Sequence, residues 1–171
     1  MVQANAAVIP EPELRALEPV LFRFALRATR DRELSRDLTQ DALLAAIAQA
    51  STFAGRSAFR TWVVGILSHK ILDHFRRTAT RALDGDDQED LLATPSAADV
   101  ERVVAARQEL AAVDRALMRL PERERLALLL VDVEGLERDD ACRALDVTAT
   151  HLRVLMHRAR NRLRGLLEHG Q

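Results

Sequence analysis

The chain has 171 residues, of which 48% are hydrophobic, 30% charged and 4% aromatic, and its formal net charge is −1. No apolar run nears the ~18 residues that a bilayer-crossing helix needs, and the single cysteine, Cys142, excludes an internal disulfide framework. Leu, Ala and Val dominate the apolar residues, Tyr is absent and only six Gly occur, a balance that points to an all-α protein.

Residues Met1 to Pro12 lack the basic flank and apolar core of a secretory signal, so a cytoplasmic location is expected. Leu14, Leu17, Leu21, Phe24 and Ala28 then recur at helical spacing and mark an opening amphipathic helix. A second helix begins at Ser35 or Asp37, with Leu34, Leu38, Ala42, Ala45 and Ala46 turned inward. On it Asp37, Gln40 and Asp41 stand at i, i+3 and i+4, where they share one exposed polar patch. A solvated face is the usual reason for that pattern.

The stretch Phe53-Ala-Gly-Arg-Ser-Ala-Phe-Arg-Thr-Trp62 reads as a loop around Gly55 leading into a third helix. This helix is expected from about Ala58 through Trp62, Ile66 and Leu67 to Phe75, ending at Arg76-Arg77. Phe53, Phe59 and Trp62 are interleaved with Arg56, Arg60, Lys70, Arg76 and Arg77. Single-stranded nucleic acid is held by this combination, cations meeting phosphates and aromatic faces stacking unpaired bases. The same aromatics serve equally as core, and core is the preferred reading of Trp62.

Residues 78–108 break the pattern. They contain Asp84-Gly-Asp-Asp-Gln-Glu-Asp90 and Thr94-Pro-Ser-Ala-Ala-Asp99, the composition of a flexible acidic linker. The acidic run lacks the alternating ligands and closing Glu of a calcium loop, so no metal is expected. Charge follows the same division: residues 14–77 carry eleven basic and six acidic side chains, residues 78–108 three and seven. From Thr148 onward five Arg face Glu168 alone.

The last segment reads as a helix-turn-helix. Glu137 to Leu145 forms a short helix with Ala141, Ala144 and Leu145 on one face, and Asp146-Val147 makes the turn. Thr148 can cap a second helix, whose Leu152, Leu155, Met156, Ala159 and Leu163 form a buried stripe. Arg153, Arg158, Arg160, Arg162 and Arg164 decorate its remaining surface. Such a helix fits the DNA major groove and meets base edges with its N-terminal side chains; an ordinary helix pair with a solvated Arg face is the other reading. Cys142 falls on the apolar-leaning face of the first helix, as a small buried thiol does. The five His residues (His69, His74, His151, His157 and His169) are scattered, and neither a catalytic constellation nor a cofactor motif emerges.

Taken together, several motifs resemble the extracytoplasmic-function (ECF) sigma factors of bacterial RNA polymerase. They are Asp37-Leu-Thr-Gln-Asp-Ala-Leu43, the block Phe53–Trp62, Asp73-His-Phe-Arg-Arg77, Leu120-Pro-Glu-Arg-Glu-Arg125, Val133-Glu-Gly-Leu136 and His157-Arg-Ala-Arg160. They occur in the family's order and cover about residues 14–77 and 109–167. The resemblance implies an all-α protein of two small helical domains: region 2 at 14–77, a linker at 78–108, and region 4 with its helix-turn-helix at 109–168. It implies core polymerase contact through Asp37, Gln40 and Asp41. Capture of the promoter −10 element falls to Phe53, Arg56, Ser57, Arg60, Trp62, His69, Lys70, Arg76 and Arg77. Recognition of the −35 element falls to Thr148, Thr150, His151, Arg153, His157 and Arg158. The implied partners are core RNA polymerase (its β′ clamp and β flap), promoter DNA and an anti-sigma factor, with no membrane insertion, metal or cofactor. A helix-turn-helix regulator that is not a sigma subunit is the alternative, and it leaves the Asp37–Trp62 block without a purpose. Val154 and Leu155, beside Leu152 and Met156, are expected either to form an exposed apolar partner site or to pack inside region 4. The free chain is expected to sample many interdomain arrangements on its tether.

Overall fold

A computed structural model of the protein describes residues 11–83 and 102–168. Its N-terminal part is built from α1 (Glu11–Thr29), α2 (Arg32–Ala48) and α3 (Phe59–Leu83), with a 3₁₀ turn at Ala50–Thr52 ahead of α3. Its C-terminal part contains α4 (Arg102–Met118), α5 (Glu122–Leu128), α6 (Arg138–Leu145) and α7 (Ala149–Glu168), with a π-helical segment at Leu129–Val133 continuing α5.

The expected amphipathic stripe of α1 is the buried one: Leu17, Leu21, Phe24 and Ala28 are inside, joined by Ala25. Arg30, in left-handed backbone at φ 59°, reverses the chain. Helix α2 opens earlier than the sequence pattern indicates. Its cap is Asp31, in extended backbone, whose carboxylate accepts from the Leu34 N–H at 2.9 Å. Ser35 is instead fully buried within the helix, and its hydroxyl lies 2.9 Å from that of Thr29. A Ser hydroxyl satisfied by the preceding helix loses its value as a cap, and the cap passes to the neighbouring acid. Leu38, Ala42 and Ala46 face inward as expected.

Helix α3 runs past Arg77 to Leu83. Thr78-Ala-Thr-Arg-Ala-Leu83 contains neither Gly nor Pro, and the first breaker is Gly85, so nothing in the chain stops the helix where the basic pair ends. Helix α4 likewise opens at Arg102, before the expected boundary at 109. The acidic runs 84–90 and 94–99 lie outside the described residues.

In the C-terminal part, α5 is the buried axis: every residue from Glu124 to Leu130 is inside. Arg125 is buried with them, its Nη1 donating to the Met118 carbonyl at 3.3 Å and its guanidinium 5.1 Å from the Phe75 ring. Burial pushes its pKa down, and Glu122 opposes that shift. The π segment ends at Glu134, whose N–H donates to the Leu129 carbonyl at 2.9 Å. Gly135, at φ +67°, then turns the chain toward α6.

Buried side chains from α1, α2 and α3 form one continuous apolar cluster with those of α5, α6 and α7. Helices α3 and α6 come close together: a Cβ built on Gly65 would lie 3.4 Å from the Ala144 Cα. Two residues with almost no side chain let these helices meet nearly backbone to backbone.

Candidate nucleic-acid interface

The exposed face of α2 carries Asp37, Gln40 and Asp41 together, as their spacing requires. Leu44 and Ile47 extend the same face and are 65% and 54% exposed. Two large apolar side chains standing in water beside a polar patch form a surface suited to a protein partner. Their signal was available in the sequence, since both fall outside the inward register of Leu38, Ala42 and Ala46.

At the start of α3 the aromatics converge. Phe53 packs on Phe59 and Trp62 with ring centroids 5.6 and 5.3 Å away, and Phe59 lies 5.8 Å from Trp62. All three are half-buried, so each contributes both to packing and to an accessible face. Arg56 and Arg60 are exposed beside them, Ser57 is half-buried, and His69 is exposed two turns further along α3. Lys70 faces back toward α2, its Nζ 3.9 Å from the Asp41 carboxylate. Arg76 and Arg77 are exposed beyond it, with Arg76 3.2 Å from Asp73. At ~1.5 Å rise per residue Arg76 stands ~24 Å along the helix from Arg60. The nine residues are therefore spread from the loop before α3 along its length rather than gathered in one pocket, and at ~100° per residue Arg60 falls on the side of the helix opposite His69 and Arg76.

The helix-turn-helix is present with the expected parts. Ala141, Ala144 and Leu145 are buried on α6, which ends in a Schellman pattern: Val147 N–H donates to the Cys142 carbonyl at 3.0 Å, and Asp146 takes left-handed backbone at φ 52°. Thr148 caps α7, its hydroxyl accepting from the His151 N–H at 3.2 Å. Leu152, Leu155, Met156 and Ala159 form the buried stripe, and Leu163 is half-buried. Thr148, Thr150, His151, Arg153, His157 and Arg158 are all exposed. Helical spacing sorts them into two lines, Thr150–Arg153–His157 and His151–Val154–Arg158. Arg153 and His157 of the first line border a 450 Å³ groove that Leu152 and Met156 also line and whose rim includes Arg138 and Arg160. Arg160 is fixed by two bonds to Asp132, at 2.7 and 3.1 Å, and the bond to this carboxylate raises its pKa.

The expected apolar pair on α7 divides. Leu155 is buried at 6% exposure and belongs to the core, whereas Val154 is 39% exposed and stands among the cations. Leu152 and Met156 are also inside, so no greasy surface stripe forms. Cys142 is half-buried, and its thiol pKa is raised, first by burial and then by the nearby Asp139.

Among the described residues, no helix is long and apolar enough to cross a membrane. Family models match two parts of the chain: Sigma-70 region 2 over residues 14–81 and Sigma-70 region 4 over residues 110–163. The ECF RNA polymerase sigma factor SigM of Mycobacterium tuberculosis is 34% identical over 148 residues, covering 86% of this chain and 71% of that protein. A probable RNA polymerase sigma factor of Haemophilus influenzae is 24% identical over 94% of this chain and 90% of its own length. Among solved structures, the sigma factor RpoE of Bartonella quintana, crystallised with the anti-sigma factor NepR, superposes with a TM-score of 0.75. It is 26% identical, and the match covers 92% of this chain and 96% of that one. CnrH, solved with the cytosolic domain of CnrY, shares the fold at a TM-score of 0.65 and 24% identity. With both regions matched in order and a relative of this closeness aligned across most of its length, the chain belongs to the ECF sigma factors of bacterial RNA polymerase.

Proposed function

We propose that this protein is an alternative sigma subunit that binds core RNA polymerase and directs it to a restricted set of promoters. The observation that carries this reading is the joint presence, on one chain, of a half-buried aromatic trio with exposed cations at the start of α3 and of a capped helix α7 with exposed Arg residues. Aromatic faces with cations around them suit an unpaired strand, and a capped basic helix suits the major groove of a duplex. A sigma subunit needs both, one for the −10 element and one for the −35 element; a simple operator-binding regulator needs only the second.

The labour divides by surface. The α2 face of Asp37, Gln40 and Asp41, widened by Leu44 and Ile47, docks on the β′ clamp, and region 4 (residues 109–168) meets the β flap. Phe53, Arg56, Ser57, Arg60, Trp62, His69, Lys70, Arg76 and Arg77 serve the displaced −10 strand. The half-buried aromatic trio offers stacking faces that offset part of the unstacking cost of opening DNA. Thr148, Thr150, His151, Arg153, His157 and Arg158 serve the −35 duplex. A cytoplasmic site of action follows from the template. An anti-sigma factor is the natural regulator, because RpoE, which shares this fold, was solved with the anti-sigma factor NepR.

Run-off transcription with purified core polymerase and genomic fragments tests the proposal. Discrete transcripts that depend on this protein are expected. Binding to a duplex without binding to core polymerase would return the chain to the class of ordinary regulators.

A further inference from the structure

We propose that Val154 determines sequence specificity on the duplex-reading face, selecting a thymine by packing against its 5-methyl group. The inference rests on the reading of α7 as the −35 recognition helix and names the base that this side chain reads.

Three observations carry it. The first is direction. Successive residues on a helix turn ~100°, so Val154 stands ~160° round α7 from both Leu152 and Met156, which are buried. It therefore points almost directly away from the core, near the middle of the outward face. The second is company. Thr150, His151, His157 and Arg158 are its i±3 and i±4 neighbours, all of them exposed. An apolar side chain ringed by donors and a cation suits a polar, negatively charged partner that offers one apolar spot. The third is that packing does not account for it. Val154 is 39% exposed and lies outside the apolar cluster that takes in Leu152, Leu155, Met156 and Ala159. A β-branched side chain is also a poorer helix former than Ala, Arg or Gln. At this position it is unfavourable for the helix and little rewarded by the core.

Duplex DNA is such a partner. Its major groove presents hydrogen-bond donors and acceptors on every base pair, and the thymine C5-methyl is the apolar group it displays. Val154 lies in the second turn of α7, within the N-terminal part of a recognition helix that meets base edges. The cations beside it hold phosphates or base edges, whereas an isopropyl group has nothing to offer a phosphate. Its contact therefore carries sequence information rather than general affinity. A cytosine in place of the thymine presents no methyl, and the Val154 side chain then meets polar groups that it cannot satisfy.

The test starts from the full-length protein and a library of random duplexes, from which bound sequences are enriched. In a selected duplex each thymine is replaced in turn by uracil, which lacks only the methyl, and affinity is read by fluorescence anisotropy. One position is expected to lose about fourfold in affinity, the worth of one buried methyl. Val154→Ala should abolish that difference, binding the thymine and uracil duplexes alike with the salt dependence of the native protein, while Val154→Ile should retain it. Both substitutions fall on the exposed face, and circular dichroism checks that helix content is unchanged. Uracil sensitivity that persists in Val154→Ala assigns the methyl to another side chain and overturns the proposal. Insensitivity to uracil at every position, in a chain that still selects duplexes, also overturns it and leaves the reading of α7 standing. If no duplex is enriched, or if Arg153→Ala with Arg158→Ala binds the selected duplex as tightly as the native chain, α7 is not the reading helix. The proposal then falls with that reading.

Discussion

Replacing Thr148 by Ala removes a single hydrogen bond at a point where fold and function meet. The Thr148 hydroxyl accepts from the His151 N–H at 3.2 Å, and its carbonyl accepts the first intrahelical bond, from Leu152, at 2.9 Å. Only the first of these depends on the side chain. Loss of such a cap costs about 1 kcal/mol, because the freed N–H finds only water and the first turn gains freedom to fray. In a chain of this size that corresponds to a fall in melting temperature of about 2–4 °C. The turn that frays carries Thr150, His151 and Arg153, so duplex binding should weaken along with it. Thr148→Ser should keep most of both, since Ser caps as well as Thr does. Thermal melting followed by circular dichroism reads the first effect, and fluorescence anisotropy on duplex DNA reads the second. An Ala variant that melts with the native protein and binds duplex equally would show that α7 is fixed by its buried stripe alone. The capping argument would then be wrong.

Reversing two charges on α2, Asp37→Arg with Asp41→Arg, should weaken binding to core polymerase without changing helix content, because both side chains are exposed; unchanged affinity removes this face from the clamp contact. Arg153→Ala and Arg158→Ala should each behave in one of two ways: loss of about 1–3 kcal/mol with relaxed specificity at one base pair, or uniform weakening with a flatter salt dependence. If both variants transcribe a promoter panel like the native protein, α7 docks by another face. The raised pKa of Cys142 keeps its thiol protonated through neutral pH, so alkylation by iodoacetamide at pH 8 should run slower than that of a free thiol and accelerate only at higher pH. Alkylation as fast as that of glutathione at pH 8 contradicts the half-buried placement.

Elements whose identity depends on local pattern were legible in the sequence. The stripe Leu152–Leu155–Met156–Ala159 and the cap at Thr148 both follow from spacing and residue type, and both are found. Boundaries decided by competition were less so. Ser35 has the chemistry of a cap, but tertiary packing claims its hydroxyl for Thr29, and Asp31 takes the role. The π segment Leu129–Val133 is invisible to a pattern method, because an apolar run reads alike whether its turns hold four residues or five. Yet that widened turn delivers Glu134 to Arg27 and Arg60. Leu155 and Val154 stand side by side in sequence and on opposite sides of the burial boundary, since successive residues on a helix turn ~100°.

What the sequence withholds most completely is which buried face meets which. Periodicity marks Val63, Val64 and Leu67 as apolar-facing but is silent on whether the opposing surface is a neighbour within region 2 or a helix eighty residues away. Gly65 and Ala144 are uninformative singly; only their juxtaposition gives them meaning. The uneven charge gains a physical sense from the same contact. A basic region 2 meets a region 4 that is neutral overall but places Glu134 against Arg27 and Arg60, and Asp114 against Arg30, so the two parts are complementary in charge where they touch.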